Sequence, residues 1–259
     1  MKNNFCIKTK QIIGGDIIKT YTFIHTADLH LNLMDRNYSI INIENKRDKS
    51  IFIFDSIIEK CFSDAIDILL ISGDLFDNNN FDENLYNEVI SKFESIPDTQ
   101  IYIAPGNHDK TEDIYFYNYS LLPPNVHVFN ESGILKYEFN DDIIVYGVNN
   151  KGSLKYCKEC LIDENKFNIF IMHNPMNEDN YVKNYETLIE SSIEENRFNY
   201  YAFGHIHDFN GFSFINNNVA AHPGSPYHIE DSNHNRGYIY GTIDGNWVDV
   251  VFKITERRN

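Results

Sequence analysis

Five apolar runs in this chain stop at side chains that strands do not favour. Residues 21–25 lead into Thr26-Ala27-Asp28-Leu29-His30, and 66–72 into Gly73-Asp74. Residues 101–105 lead into Gly106-Asn107-His108-Asp109, 167–172 into His173, and 199–203 into Gly204-His205-Ile206-His207. Asn and Asp are poor strand residues and good turn formers. That accounts for one polar residue after a strand, but not for five clusters of carboxylate, imidazole and amide groups. Ligand sites in α/β sheets lie beyond the carboxyl ends of the strands. Each cluster sits at that end of its own run, so the pattern calls for a fold that gathers five strand ends around one site.

The segments between these runs fit such a fold. Ile51, Phe54, Ile57, Ile58, Cys61 and Phe62 recur at helical spacing and predict a helix over 47–62. A second helix starts at Asp82 as N-cap, runs through Leu85, Tyr86, Val89, Ile90 and Phe93, and stops at Pro97. The run 66–72 is apolar throughout, as in a strand covered on both faces. Strand, helix, strand, helix, strand implies a largely parallel core. Further on, 111–122 predicts an aromatic helix, 153–161 a short helix and 185–193 a longer one. Strands are expected at 126–129, 134–139, 143–148, 211–215, 237–243 and 247–254, with Asp244-Gly245 as a hairpin turn. Residues 1–19 are expected to supply an edge strand. No repeat and no composition shift marks a linker. The expectation is one α/β domain over 1–259, with two packed mixed β-sheets flanked by helices.

Composition narrows the function. Lys and Arg total 22 against 38 Asp and Glu, for a net charge of -16. That argues against a broad basic surface for non-specific nucleic-acid binding. Bound divalent cations would reverse the local field, so a phosphate-bearing substrate remains compatible. The four cysteines, Cys6, Cys61, Cys157 and Cys160, are too few and too unevenly spaced for a disulfide framework. Free thiols, a start without a secretory signal and no run of membrane-spanning length point to a cytoplasmic protein without a membrane partner. The Asn runs at 78–80 and 216–218 are expected in loops.

Asp28, His30, Asp74, Asn107, His108, Asp109, His173, His205 and His207 form a mixed nitrogen and oxygen donor set without thiolates. Such a set suits manganese, iron or zinc in a reactive site rather than structural zinc. Asp-x-His and His-x-His place two side chains on the same side of an extended segment. Two metals about 3.5–4 Å apart need a shared carboxylate, and such pairs clamp the attacking and leaving oxygens of phosphoryl transfer. Asp74, alone at its strand end, is the natural bridge.

Asp28-Leu29-His30, Gly73-Asp74, Gly106-Asn107-His108-Asp109, His173 and Gly204-His205-Ile206-His207, in this order, resemble the calcineurin-like metallophosphoesterase superfamily over about residues 21 to 230. Residues 23–31, Gly73-Asp74-Leu75-Phe76-Asp77 and Pro223-Gly224-Ser225-Pro226 are similar to its DNA-repair exonuclease branch, which includes the nuclease subunit of double-strand-break repair complexes. The resemblance implies a four-layer sandwich and two divalent ions, manganese first, with iron or zinc as alternatives. It assigns Asp28, His30 and His207 to one ion, Asn107, His173 and His205 to the other, and Asp74 to both. His108 would stabilise the scissile phosphate and help protonate the leaving oxygen, with Asp109 orienting it. A dimetal-bound hydroxide would attack in line. About fifty residues follow His207 and read as closing strands, so no separate capping domain is expected.

The expected activity is phosphodiester hydrolysis, as a nuclease on DNA ends or single strands. The alternative is a phosphoesterase acting on nucleotides or other small molecules. A third reading, a non-catalytic scaffold on the same fold, has no need of Asp74 or His108. The implied partners are a phosphoester substrate, DNA among the candidates, and an ATPase of the repair branch.

Other residues receive plainer readings. His25 is expected in the core or behind a ligand, and His127 in a strand with no site role. His222 and His228 flank Pro223-Gly224-Ser225-Pro226 and are weighed as pocket-lining residues. Asp77 is read as a turn residue rather than a ligand, and Asp35 as an acid near the site loops. Cys157 and Cys160 are expected as free thiols, since no second pair completes a zinc site. The aromatic stretch 115–119 is explained by core packing at least as well as by base stacking.

Overall fold

The computed structural model describes residues 11–13, 16–31, 40–77, 82–109, 122–149, 160–173, 198–209, 211–215, 217–229 and 234–256. The expected helices at 111–122, 153–161 and 185–193, the stretch 115–119, Asp35 and Cys157 lie outside these residues, apart from Leu122, Cys160 and Leu161.

Two six-stranded mixed sheets form the centre of the fold. In the first, β3 (Thr20–Thr26), β4 (Ile68–Ile71), β5 (Gln100–Ile103) and β6 (Val126–Val128) run parallel. β13 (Arg236–Asp244) lies antiparallel against β3 and is itself paired antiparallel with β14 (Trp247–Glu256). In the second, β8 (Ile143–Gly147), β9 (Phe167–Met172), β10 (Tyr200–Phe203) and β12 (Asn218–Ala221) run parallel. Antiparallel β7 (Leu135–Glu138) and β11 (Phe212–Ile215) form its edges.

The period of two in β4 shows how the layers are built. Leu69 and Ile71 pack with apolar residues of α1 (Ile40–Ser63) and α2 (Glu83–Glu94), among them Phe54, Ile57, Val89 and Phe93. Ile68 and Leu70 point the other way, into a core shared with Ile169, Ile171, Tyr200 and Ala202 of the second sheet. The strand is therefore buried on both faces, as its unbroken apolar run predicts. The outer face of the second sheet buries Ile144, Phe170, Tyr201 and Phe203 in a third cluster. The expected pair of mixed sheets flanked by helices is thus present, with both described helices on the first sheet.

Asp82 caps α2 as expected, accepting from the Asn84 and Leu85 amides at 3.1 and 3.2 Å. Several details differ from the sequence reading. Helix α1 begins at Ile40 rather than near Arg47, and Phe62 is 73% exposed although it fits the helical spacing. β1 (Gln11–Ile13) and β2 (Asp16–Ile18) pair with each other as a separate hairpin and join neither large sheet, because β13 already occupies the free side of β3. β12 was not expected, since its short Val-Ala-Ala core follows an Asn run that reads as loop. His127 hydrogen-bonds Gln100 at 2.9 Å and stacks on Tyr102, in keeping with a strand residue away from the site.

Buried Asn125 secures the exit from α2. Its amide nitrogen donates to the carbonyls of Phe93, Ile96 and Thr99 at 3.2, 3.1 and 3.0 Å, and its own carbonyl accepts from Ile101. The Phe93 and Ile96 carbonyls also accept the Ile96 and Thr99 amides, so among the described residues the loss of the Asn125 amide leaves chiefly the Thr99 carbonyl unpaired, at a cost of about 1–3 kcal/mol. Asn125→Ala is therefore expected to lower unfolding stability by that amount in urea titration; an unchanged midpoint would show that solvent satisfies the Thr99 carbonyl.

Candidate metal centre

The strand ends turn sharply where the polar clusters begin. Asp28, His30, Asp74 and His205 all have positive φ, at 53°, 43°, 49° and 72°. Non-glycine residues in this region are uncommon and strained by about 1–3 kcal/mol each, and such residues cluster at functional sites. The strain is held by hydrogen bonds that continue the β3–β4 pairing past the strands. The Asp28 amide donates to the Gly73 carbonyl at 3.0 Å, His30 to Asp74 at 2.9 Å and Leu31 to Leu75 at 2.9 Å. Two glycines allow the loops to meet. A Cβ on Gly106 would lie 2.1 Å from Asp74 Oδ1, and one on Gly204 would lie 1.9 Å from the Ser72 carbonyl oxygen.

These turns bring the seven expected ligands together. His30 Nε2 lies 3.3 Å from His207 Nε2, and His207 Nε2 lies 4.0 Å from Asp28 Oδ1. Asn107 Oδ1 lies 3.0 Å from His173 Nε2 and 3.2 Å from His205 Nδ1. Asp74 Oδ2 stands between the two groups, 3.7 Å from His30 Nε2 and 3.2 Å from His173 Nε2. Asp28, His30 and His207 converge within 4.8 Å of one another, as do Asp28, Asp74 and His173. A divalent cation fits this donor set. Asp28 Oδ2 is buried with no hydrogen-bond partner among the described residues, although buried carboxylate oxygens need compensation.

Electrostatics give the same picture. Burial, with Asp74 and Asp109 nearby, pushes Asp28 well above the usual carboxylate range. Burial lowers His30 to about 3 and His205 to about 4, so both are neutral and have a lone pair to offer. Burial also opposes charge on His173, but the adjacent Asp74 carboxylate overrides it and raises His173 to about 9. Asp74 is correspondingly held low by His173, against the effect of its own burial. His173 Nδ1 donates to the Ser72 carbonyl at 2.8 Å, which turns Nε2 toward Asp74 and Asn107.

His108 is placed differently from the others. Its ring is 45% exposed at the rim, packed edge-on against His30, while its backbone amide donates to Asp74 Oδ1 at 2.8 Å. The expected orienting role of Asp109 needs correction. Asp109 is fully buried and accepts from the amides of Gly106, Phe76 and Leu75 at 2.9, 3.0 and 3.2 Å, pinning the loop after β5 to the loop after β4. The carboxylate on His108 Nδ1 is Asp77, at 2.8 Å. That hydrogen bond, chiefly, raises the His108 pKa. Asp77 is therefore more than a turn residue. No local sequence signal marks it: Asp77 is placed by the extended pairing after Asp74, where Phe76 bridges Leu31 and Asp77 donates its amide to the Leu31 carbonyl. His222 is buried, with Nδ1 2.9 Å from the Gly204 carbonyl oxygen. His228 is half-buried and contacts Arg236.

Carboxylate, imidazole and amide donors from two sheets gather around Asp74 and form a candidate metal centre on an α/β sandwich. The family model of the calcineurin-like phosphoesterases matches residues 21–209, and the chain belongs to that family. Its class is therefore that of metal-dependent phosphoester hydrolases, whose members bind two divalent metals. The DNA double-strand break repair protein Mre11 of Sulfurisphaera tokodaii is 24% identical over 220 residues, which cover 78% of this chain and 53% of the relative. Mre11 of Saccharolobus solfataricus is 26% identical over 217 residues, covering 78% and 54%. The chain thus spans about half the length of these relatives. Among solved structures, a Thermus thermophilus protein superposes with a TM-score of 0.56 at 10% identity, covering 90% of this chain and 99% of that one. A dimetal phosphatase from Danio rerio does so with 0.53 at 11%, covering 90% and 98%. Both likenesses concern the fold. Among the described residues, no helix is long and apolar enough to cross a membrane.

Ligands must shed protons before they bind a metal. With His173 raised to about 9 and Asp28 raised by burial, loading manganese at pH 7 is expected to release protons. The apparent affinity should accordingly rise with pH through the neutral range. Calorimetric titration in buffers of different ionisation enthalpy tests this directly; a binding heat independent of the buffer would mean that His173 enters the reaction already neutral.

Proposed function

We propose that the chain is a two-metal phosphodiesterase of the repair-nuclease branch, acting on nucleic-acid ends or single strands. The observation behind this reading is the position of Asp74 Oδ2 between His30 and His173, with a further donor group on each side. Asp28, His30 and His207 would hold one ion, Asn107, His173 and His205 the other, and Asp74 both. Manganese is the ion proposed first, with iron and zinc next, since a mixed carboxylate, amide and imidazole set accepts all three. When bound, such a pair supplies a nucleophile at neutral pH and neutralises charge on the phosphoryl oxygens.

The chain's own groups do the rest. The Asp77 carboxylate fixes His108 through Nδ1, so Nε2 is the nitrogen presented to substrate. The raised pKa of His108 keeps a proton available for the leaving oxygen. Asp109 holds the Asn107–His108 turn against the Asp74 loop through the Gly106, Leu75 and Phe76 amides. The names of the Mre11 relatives support DNA as the substrate, and an ATPase partner and a cytoplasmic setting belong to the same reading. The net charge of -16 favours a second reading, hydrolysis of nucleotides or other small phosphoesters, because a broad DNA footprint needs basic surface.

Purified protein with added manganese is expected to hydrolyse bis-p-nitrophenyl phosphate; no turnover with manganese, iron, zinc or cobalt would remove the enzyme reading. A single-stranded oligonucleotide and a panel of nucleoside monophosphates should then be compared. Release of phosphate from the monoesters without oligonucleotide cleavage would favour the second reading.

His108→Ala is expected to retain metal stoichiometry and lose about 10²–10⁴-fold in turnover, the usual contribution of a positioned proton donor. Asp77→Asn should fall in the same direction by a smaller factor. Loss of a metal from His108→Ala, measured by elemental analysis, would make His108 a ligand instead.

A further inference from the structure

The candidate ligands come from both sheets. Asp28, His30, Asp74 and Asn107 follow β3, β4 and β5, whereas His173, His205 and His207 follow β9 and β10. The distance between the sheets therefore sets the distance between the ligands. Most of the interlayer is apolar, with Phe23, Leu70, Ala104, Ile171 and Ala202 among its residues. Apolar burial is non-directional and does not by itself fix a spacing to a few tenths of an ångström.

Directly beneath the site, directional bonds cross the layers. His25 Nδ1 of β3 meets Tyr200 Oη of β10 at 2.8 Å. Ser72, at the end of β4, donates its hydroxyl to the Ala202 carbonyl at 3.2 Å. His25 Nε2 lies 2.8 Å from the same Ser72 oxygen. Neutral His25 donates through one ring nitrogen and accepts through the other, so both hydroxyls are engaged in either tautomer. His25 and Ser72 are both fully buried, and Tyr200 is too.

Ser72 also touches the site itself. Its carbonyl accepts from His173 Nδ1 at 2.8 Å, and the close approach of Gly204 confines that carbonyl from the other side. The Ser72 hydroxyl and carbonyl thus connect the interlayer bonds to a candidate ligand.

We propose that His25, Ser72 and Tyr200 form an inter-sheet clamp that positions His173 for metal binding, with His25 as its central positioning residue. The clamp rests on the two-metal reading given above. It goes beyond core packing because its last link is the bond that selects which nitrogen of His173 faces Asp74 and Asn107. Partners that hold metal-ligating histidines typically affect metal affinity by about 10–100-fold when removed.

The test is a manganese titration of purified full chain, with the free ion followed by electron paramagnetic resonance and the melting temperature of the metal-free protein recorded alongside. Ser72→Ala and Tyr200→Phe each remove one hydroxyl and little volume, so both are suitable if His25→Phe does not fold. Each variant is expected to weaken one of two manganese-binding steps by about 10–100-fold, the range for lost ligand-orienting partners. His25→Gln, whose amide can donate to Ser72, should recover part of the loss seen in His25→Phe. Lowered melting temperatures with both binding steps unchanged would overturn the proposal and leave the three residues as core packing. A wild-type chain that binds no divalent ion would overturn the two-metal reading itself, and the clamp with it.

Discussion

Buried negative charge governs this end of the molecule. Asp28, Asp74 and Asp109 are each no more than 1% exposed and influence one another's ionisation. Carboxylates in such surroundings must be paired, hydrogen-bonded or protonated. Each of the three meets the demand in its own way. Asp109 takes three backbone amides and becomes part of the scaffold. Asp74 takes the His108 amide on one oxygen and faces His173 with the other. Among the described residues, Asp28 accepts the His205 amide alone, on Oδ1, and it is pushed toward its neutral form. The carboxylate left least satisfied by protein is thus one of those best placed to meet a cation.

The strained turns follow from the same demand. A regular strand would carry its next side chains onward along the sheet, alternating between faces. Left-handed geometry at Asp28, His30, Asp74 and His205 turns them back over the strand ends instead. Each such residue is unfavourable alone, so the surrounding structure has to over-determine it. The extended β3–β4 ribbon does this for three of them, and the Asp28 carboxylate bonding the His205 amide does it for the fourth. Gly106 and Gly204 are required because the loops then pass too close for any side chain.

Much of this arrangement was legible in the sequence, for a physical reason. Apolar runs such as 66–72 are explained by burial on two faces, whereas the clusters at their ends are explained neither by burial nor by turn formation. Contacts between loops were less legible. Asp109 follows His108 directly, yet neighbours along a chain need not share a direction, and here one side chain enters the interior while the other stays at the rim. Asp77, thirty-one residues away, reaches His108 only because the loops after β4 and β5 are brought together. β12 escaped detection because its central position in the sheet comes from pairing on both sides rather than from a strong local pattern.

The relation between the sheets and the site also bears on stability. Among the described residues, the apolar interlayer has polar ties at both ends. At the end remote from the site, Tyr21 Oη donates to Asp142 Oδ2 at 2.6 Å. At the site end, His25 meets Tyr200 and Ser72 meets Ala202. The Tyr21 tie is partly exposed and stands between residues with no candidate ligand nearby, so it can hold the layers without fixing any reacting group. The site-end ties are buried and continue into His173. Cations bound to ligands from both sheets would act as a further cross-link at that same end. Binding that favours the native chain over the unfolded one adds to its stability. Metal binding and sheet packing are then two aspects of one constraint: whatever fixes the separation of β3 and β4 from β9 and β10 also fixes the spacing of the ligands at their ends.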